Sequence, residues 1–166
     1  MNRLFWGLIF VVLDWKFTLG TAVFEILPDF LGFYLLMKGM EELAARSRIF
    51  DRGRHWAFSL ALASGVHFCG ELMAPPTGTQ VILWAAGLLM LGAGLALIRK
   101  ILRGMREQGL DTAAAEGIWL VLAALQSICY LANWIPVVGQ ICDLVSLGTG
   151  LLFLLCFYRT MKRSAG

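Results

Sequence analysis

The stretch VILWAAGLLMLGAGLAL, residues 81–97, runs for 17 residues without a charged side chain. It is close to the about 20 apolar residues that a helix needs to cross about 30 Å of hydrocarbon. The rest of the chain has the same character, since 59% of its 166 residues are hydrophobic and only 15% are charged. Soluble domains are about 45–50% apolar and about 25% charged. The sequence therefore predicts an integral membrane protein, with one transmembrane domain over residues 1–166.

Five more apolar segments accompany this one. The predicted fold class is all-α, a polytopic membrane protein built as a six-helix transmembrane bundle. The predicted spans cover residues 4–20, 28–43, 56–74, 81–97, 118–135 and 142–158. The first segment begins with a basic residue, as a signal peptide does, but no small-residue cleavage site follows it directly. We interpret it as a retained helix.

The basic residues predict the orientation. If the N-terminus is inside, 13 of the 14 Lys and Arg residues fall on the inner side and only Lys16 does not. The inner side then also holds six acidic residues, and the outer side holds the other five of the eleven. Cytoplasmic loops of membrane proteins carry the excess of Lys and Arg. The predicted topology is N-in/C-in, in a bacterial cytoplasmic membrane, with the lipid bilayer as the partner of the basic loops and no nucleic acid.

Two acidic residues are predicted to lie at helix starts. Asp29 follows Pro28, and proline suits the first turn of a helix because its missing N–H is not needed there. A carboxylate in that turn offsets the positive end of the helix dipole by about 0.3–1 kcal/mol. Asp143 is predicted to do the same for the sixth helix.

The same region resembles a known family. The segments VVLDWKF (residues 11–17) and ILPDFLGFYLLMKGMEEL (residues 26–43) are similar to the N-terminal half of a family of small multi-span membrane proteins of Firmicutes. That family, which has no assigned activity, carries a Leu-Pro-Asp-Phe-Ile-Gly-Tyr-like segment after its first helix. Leu31 and Phe33 stand here in place of the isoleucine and the tyrosine. The resemblance covers roughly residues 4–45 and implies a bacterial membrane location.

Polar residues within the spans indicate where a site could lie. Ionisable groups at membrane depth are costly and usually face the bundle interior or a wet cavity. Polar or ionisable residues occur in the outer halves of three spans, and those in the third and fifth spans are separated by helical spacing. They are Asp14 in the first, His67 and Glu71 in the third, and Gln126, Tyr130 and Asn133 in the fifth. One interpretation is a single polar pocket that faces outward. The other is a set of separate interhelical hydrogen bonds across a dry core.

These features leave three function classes open. The first is solute binding of a transport-like kind in the outward pocket. The second is a structural or regulatory membrane subunit that acts through helix contacts with a partner subunit or as a homo-oligomer. The third is an intramembrane enzyme, which is less favoured because the sequence contains no known motif of one. His67 and Glu71 lack an evident third ligand, and the four cysteines have no metal-binding spacing, so neither a metal nor another cofactor is predicted.

Overall fold

The computed structural model describes residues 2–13, 16–19, 22–25, 28–73, 77–132 and 136–163. This part of the chain forms six helices and a two-stranded antiparallel hairpin. The elements are α1 (Asn2–Val12), β1 (Lys16–Leu19), β2 (Ala22–Glu25), α2 (Asp29–Leu43), α3 (Arg48–Leu72), α4 (Thr77–Glu107), α5 (Ala113–Ala132) and α6 (Pro136–Arg163). The predicted all-α class is confirmed, and the hairpin is an addition to it.

The helices form a closed ring. Each packs against its neighbour in sequence, and α1 packs against α6. Neighbours run antiparallel, as contacts between α3 and α4 show: Phe50 lies against Gly104, whereas Gly70 lies against Leu83. One end of the ring therefore collects the basic residues that begin α3 and end α4. We call it the basic end, and the opposite end, which carries the strands, the hairpin end.

Within the described residues, three helices are long and apolar enough to cross a membrane, which agrees with a membrane-associated protein. Their spanning segments are Gly78–Glu107, Ala113–Ala132 and Leu144–Lys162. Helix α1 has 11 residues and α2 has 15, so they measure about 16 and 22 Å at about 1.5 Å per residue. Both lengths fall short of about 30 Å of hydrocarbon, and six helices of full spanning length, as predicted, are not observed.

The prediction of one helix over residues 4–20 is wrong. Helix α1 ends at Val12, and β1 and β2 then pair with Leu19 opposite Ala22. The sequence KFTLGTAVFE contains β-branched and aromatic residues typical of strands. Its central glycine also suits a two-residue connection between them. This segment is apolar, as predicted, but its apolar residues do not recur with the spacing of a helix.

The predicted place of Asp143 is also wrong. The predicted fifth and sixth spans cover residues 118–135 and 142–158, whereas α5 ends at Ala132 and Pro136 opens α6. Proline prefers the first position of a helix. This preference predicts the start of α2 after Pro28, and it also explains why α6 begins at Pro136. The backbone of Asp143 consequently lies in the third turn of α6, and its side chain is outside the described part of the structure.

Helix α4 extends well beyond the predicted end at residue 97. Its last turns stay amphipathic, because Ile101, Leu102 and Met105 are buried while Arg103 and Arg106 are exposed. The helix then closes at Gly109, whose φ of 81° lies in the left-handed region. There the Leu110 amide donates to the Met105 carbonyl oxygen at 3.2 Å, which is a Schellman cap.

Glycines allow α1 and α2 to approach backbone to backbone. A Cβ on Gly39 would lie 2.7 Å from the Leu4 backbone nitrogen, and one on Gly7 would lie 2.8 Å from that of Leu36. Gly32 meets the Val11 side chain in the same way, at 2.7 Å. Small residues at such crossings are typical of membrane helix pairs, which pack without a hydrophobic driving force.

The dense core lies at the basic end. The side chains with 0% exposure include Leu4, Leu8, Leu36, Met40, Phe50, Leu97, Ile101, Leu102, Met105, Phe153 and Phe157. On α4, by contrast, no described residue before Gly94 is fully buried. The bundle is thus filled at its basic end and more open at its hairpin end.

Candidate functional site

A cavity of about 100 Å³ lies among α1 to α5, towards the hairpin end. Its residues come from the end of α1, the start of α2, the second half of α3, the first two-thirds of α4 and the second half of α5. Six of its lining residues are polar: Asp29, Ser64, His67, Glu71, Gln126 and Tyr130. Leu95 and Ile98 lie deepest along α4 and join the cavity to the packed core.

His67 holds α3 against α4. Its Nε2 atom lies 3.0 Å from the carbonyl oxygen of Leu83. A carbonyl oxygen can only accept, so Nε2 carries the proton, and a neutral ring presents the lone pair of Nδ1. That nitrogen faces Glu71 one helical turn away, with 3.8 Å between Nδ1 and Oε1. The His67 side chain is 16% exposed and that of Glu71 is 44% exposed, so the carboxylate is the more accessible of the two.

Tyr130 holds α5 against the same turn of α4. Its hydroxyl donates to the carbonyl oxygen of Trp84 at 2.8 Å, and the two rings lie 5.8 Å apart.

Gly87 makes this convergence on α4 sterically possible. A Cβ at this position would meet the Tyr130 hydroxyl oxygen and come within 3.4 Å of His67 Nε2. Any larger residue would displace one or both side chains from the carbonyl oxygens one turn earlier.

Gln126 lies one turn before Tyr130 on α5 and is half-buried. No hydrogen bond joins its amide to another residue in the described part of the chain. A half-buried amide with both a donor and an acceptor available is the kind of group that orients a bound solute.

Asp29 and Ser64 line the cavity, although neither is among the residues predicted to form the pocket. Asp29 lies in the first turn of α2, after Pro28 at the N-cap, and it also reaches the cavity wall. Its position at the helix start accounts for the residue without a cavity, so the sequence does not indicate that Asp29 also lines the cavity. Ser64 is 7% exposed and precedes His67 and Glu71 by three and seven residues. That spacing places all three on one face of α3. The position of Ser64 at the cavity could therefore be predicted from the sequence.

Four of the six predicted pocket residues line this one cavity: His67, Glu71, Gln126 and Tyr130. The other two, Asp14 and Asn133, lie outside the described residues. No cluster of three or more His, Cys, Asp or Glu side chains able to hold a metal ion occurs among the residues described. The arrangement can therefore bind a solute through hydrogen bonds and charge, and it lacks a recognisable metal-ligand set in that part of the chain.

Comparisons of the chain with models of protein families, with curated proteins and with solved structures found no match.

Proposed function

We propose that this chain is a multi-pass protein of a bacterial cytoplasmic membrane that binds a small polar solute in an outward-facing cavity, as part of a transport-like process. The observation that carries this proposal is the position of the cavity. It joins polar side chains from α2, α3 and α5 at the hairpin end, above an apolar core that fills the basic end. A site open on one side and closed on the other is what an outward-facing transport protein needs before it changes state.

The charge distribution supports the orientation. The basic end takes the Lys and Arg residues of the α2–α3 and α4–α5 connections, which the positive-inside rule assigns to the cytoplasm. Tryptophan and basic side chains also meet there, because Lys100 Nζ lies 3.8 Å from the Trp56 ring centroid and Arg99 lies 5.6 Å from that of Trp119. Such pairs suit the headgroup level of a bilayer. In this orientation both termini are cytoplasmic and the hairpin end is outside.

The six helices form one membrane bundle in this proposal. Helices α4, α5 and α6 cross the bilayer by their own length, and α3 crosses it with its charged first turns in the inner headgroup region. Helices α1 and α2 enter from the inner side as a pair, and the hairpin lies between them in the chain. The bacterial location is supported by the resemblance of residues 4–45 to the Firmicutes family.

Accessibility of Gln126 from outside tests the proposal. In a variant without the four native cysteines, Gln126→Cys should react with a membrane-impermeant methanethiosulfonate added to spheroplasts. Ile128→Cys is the matched control on the same helix, because Ile128 is 62% exposed on the surface that faces lipid in this proposal. Its thiol should stay unreactive, since charged reagents do not enter hydrocarbon. Reaction of Gln126→Cys only in inverted vesicles, or in neither preparation, would contradict an outward cavity.

A further inference from the structure

Three basic residues lie together near the end of α4, at the basic end of the bundle. Arg103 lies one helical turn beyond the adjacent Arg99 and Lys100. Residues three and four apart on a helix are neighbours, with about 5–6 Å between their Cβ atoms. Arg99 and Arg103 are exposed and Lys100 is half-buried. On the opposite side of the helix, Ile98 and Ile101 belong to the core. The three cations therefore form one patch on the outer surface of the bundle, which we call the cationic patch.

Tryptophan rings from the two neighbouring helices hold two of these cations. Lys100 Nζ lies 3.8 Å from the centroid of the Trp56 ring on α3. The Arg99 guanidinium lies 5.6 Å from the centroid of the Trp119 ring on α5. A cation within about 6 Å of a tryptophan ring is attracted to its face. These two contacts fix the positions of two charges, one on each flank of α4.

The cationic patch is not neutralised by a carboxylate from the part of the chain that the structure describes. There, neither Arg103 nor the other two cations form an ion pair. Two acids at the same end are engaged elsewhere. Glu107 accepts a hydrogen bond from Ser47 at 3.0 Å, and Glu116 lies 3.8 Å from Arg106. Like charges one turn apart destabilise a helix, so an anion from outside the chain would relieve the repulsion within the patch.

The surface of α4 beside the patch is apolar. Ala96, Gly92 and Leu89 precede Arg103 by seven, eleven and fourteen residues, which places them on the same face of the helix. Leu89 is 75% exposed, and a Cβ at Gly92 would meet nothing within 4 Å. This helix is long and apolar enough to cross a membrane. A ligand that joins an anionic group to an acyl chain matches both parts of this face, whereas free phosphate matches only the cations.

From these observations we infer that the cationic patch binds the phosphate group of one anionic phospholipid, whose acyl chain lies along the apolar face of α4. Guanidinium groups bind phosphate through two parallel hydrogen bonds, which Arg99 and Arg103 can offer, and Lys100 adds a compact charge. In the proposed orientation the patch lies at the cytoplasmic leaflet, where anionic lipids attract basic segments. The inference goes beyond the proposed function, because lipid binding here does not require a solute in the cavity.

Lipid binding to the purified full chain in a neutral detergent tests the inference. Native mass spectrometry measures the fraction of the protein that carries a lipid as phosphatidylglycerol is added. Phosphatidylcholine with the same acyl chains is the zwitterionic control. One phosphatidylglycerol per chain should bind in a saturable way, at lower concentrations than phosphatidylcholine. Inorganic phosphate at the same concentration should not displace it, because phosphate has no acyl chain to contact α4.

A charge-removing variant identifies the responsible surface. Arg103→Gln should weaken phosphatidylglycerol binding by about fivefold, which corresponds to about 1 kcal/mol, the contribution of one basic residue at an anionic membrane surface. Arg159→Gln is the matched control. Arg159 is an exposed cation on α6 at the same end of the bundle, and its replacement changes the net charge equally. This control should bind as the unmodified protein does.

Thermal unfolding in the same detergent gives a second readout. Phosphatidylglycerol should raise the unfolding temperature more than phosphatidylcholine does, because a ligand that binds only the folded state stabilises it. The rise should be smaller for Arg103→Gln than for Arg159→Gln. Unfolding without added lipid shows whether each variant is folded before its binding is compared.

Three results would overturn the inference. Equal binding of the two lipids would mean that the patch does not select an anionic headgroup. Displacement by inorganic phosphate would mean that the site takes a free anion. Equal weakening in Arg103→Gln and Arg159→Gln would show general attraction to the basic end in place of a site on α4. None of these results bears on the cavity, which the accessibility of Gln126 tests separately.

Discussion

His67 and Tyr130 bind consecutive carbonyl oxygens of one helix from two different neighbouring helices. His67 reaches Leu83 from α3 at 3.0 Å, and Tyr130 reaches Trp84 from α5 at 2.8 Å. Both carbonyl oxygens belong to the regular helix α4, so the polar wall of the cavity and the packing of three helices depend on the same turn.

Gly87→Ala should destabilise the protein. The new methyl group would meet the Tyr130 hydroxyl and crowd His67, and overpacking of this kind costs about 1–3 kcal/mol. Gly92→Ala, five residues later on α4, is the matched control because a Cβ there meets nothing within 4 Å. It should be neutral or stabilising by up to about 1 kcal/mol through helix propensity. Thermal unfolding in detergent measures both, and equal stability of the two variants would refute the assigned role of Gly87.

Tyr130→Phe should lower stability by about 0.5–1.5 kcal/mol, because it removes one interhelical hydrogen bond and keeps the ring. Tyr158→Phe is the control. Tyr158 is 47% exposed and stacks on Phe5 at 5.4 Å between ring centroids, so loss of its hydroxyl should have little effect. Trp84 fluorescence, measured in a variant with the other tryptophans replaced, should change for Tyr130→Phe only. An effect of equal size in both variants would argue against the bond to Trp84.

Gly39→Ala should disrupt the pairing of α1 with α2. Its Cβ would lie 2.7 Å from the Leu4 backbone nitrogen, so a backbone has to move, and we expect a cost of about 1–3 kcal/mol or more. Gly148→Ala on α6 meets nothing within 4 Å and should not lower the unfolding temperature. If Gly39→Ala is tolerated as well as Gly148→Ala, the close approach of the two helices is not required.

The proposed topology predicts opposite labelling for two exposed positions. In the cysteine-free variant, Gly78→Cys at the start of α4 should react with an impermeant reagent added to spheroplasts. Arg48→Cys at the start of α3 should react only after the membrane is opened. The reverse pattern would place the basic end outside and refute the N-in/C-in orientation.

The sequence predicts the helical class and the apolar helices well, because long uncharged runs such as residues 81–97 have no other stable form in a bilayer. It also identifies polar faces on α3 and α5, since residues three and four apart share one side of a helix. His67 with Glu71, and Gln126 with Tyr130, do line one cavity.

Other features depend on information that hydropathy does not carry. The end of α1 at Val12 reflects the competition of a hairpin with a helix in a segment that is apolar in either form. Pro136 can end one helix or begin the next, and only the packing of α6 decides between these. The cavity role of Asp29 depends on how α2 packs against its neighbouring helices, which the sequence does not indicate.

Accessibility of Gln126 from the two sides of the membrane tests the central claim, that the cavity is an outward-facing solute site, most directly. In the variant without the native cysteines, we predict that Gln126→Cys reacts with a membrane-impermeant methanethiosulfonate added to spheroplasts, whereas Ile128→Cys, at a position that is 62% exposed, does not. Reaction of Gln126→Cys only in inverted vesicles, or equal reaction of both variants from outside, would contradict the account.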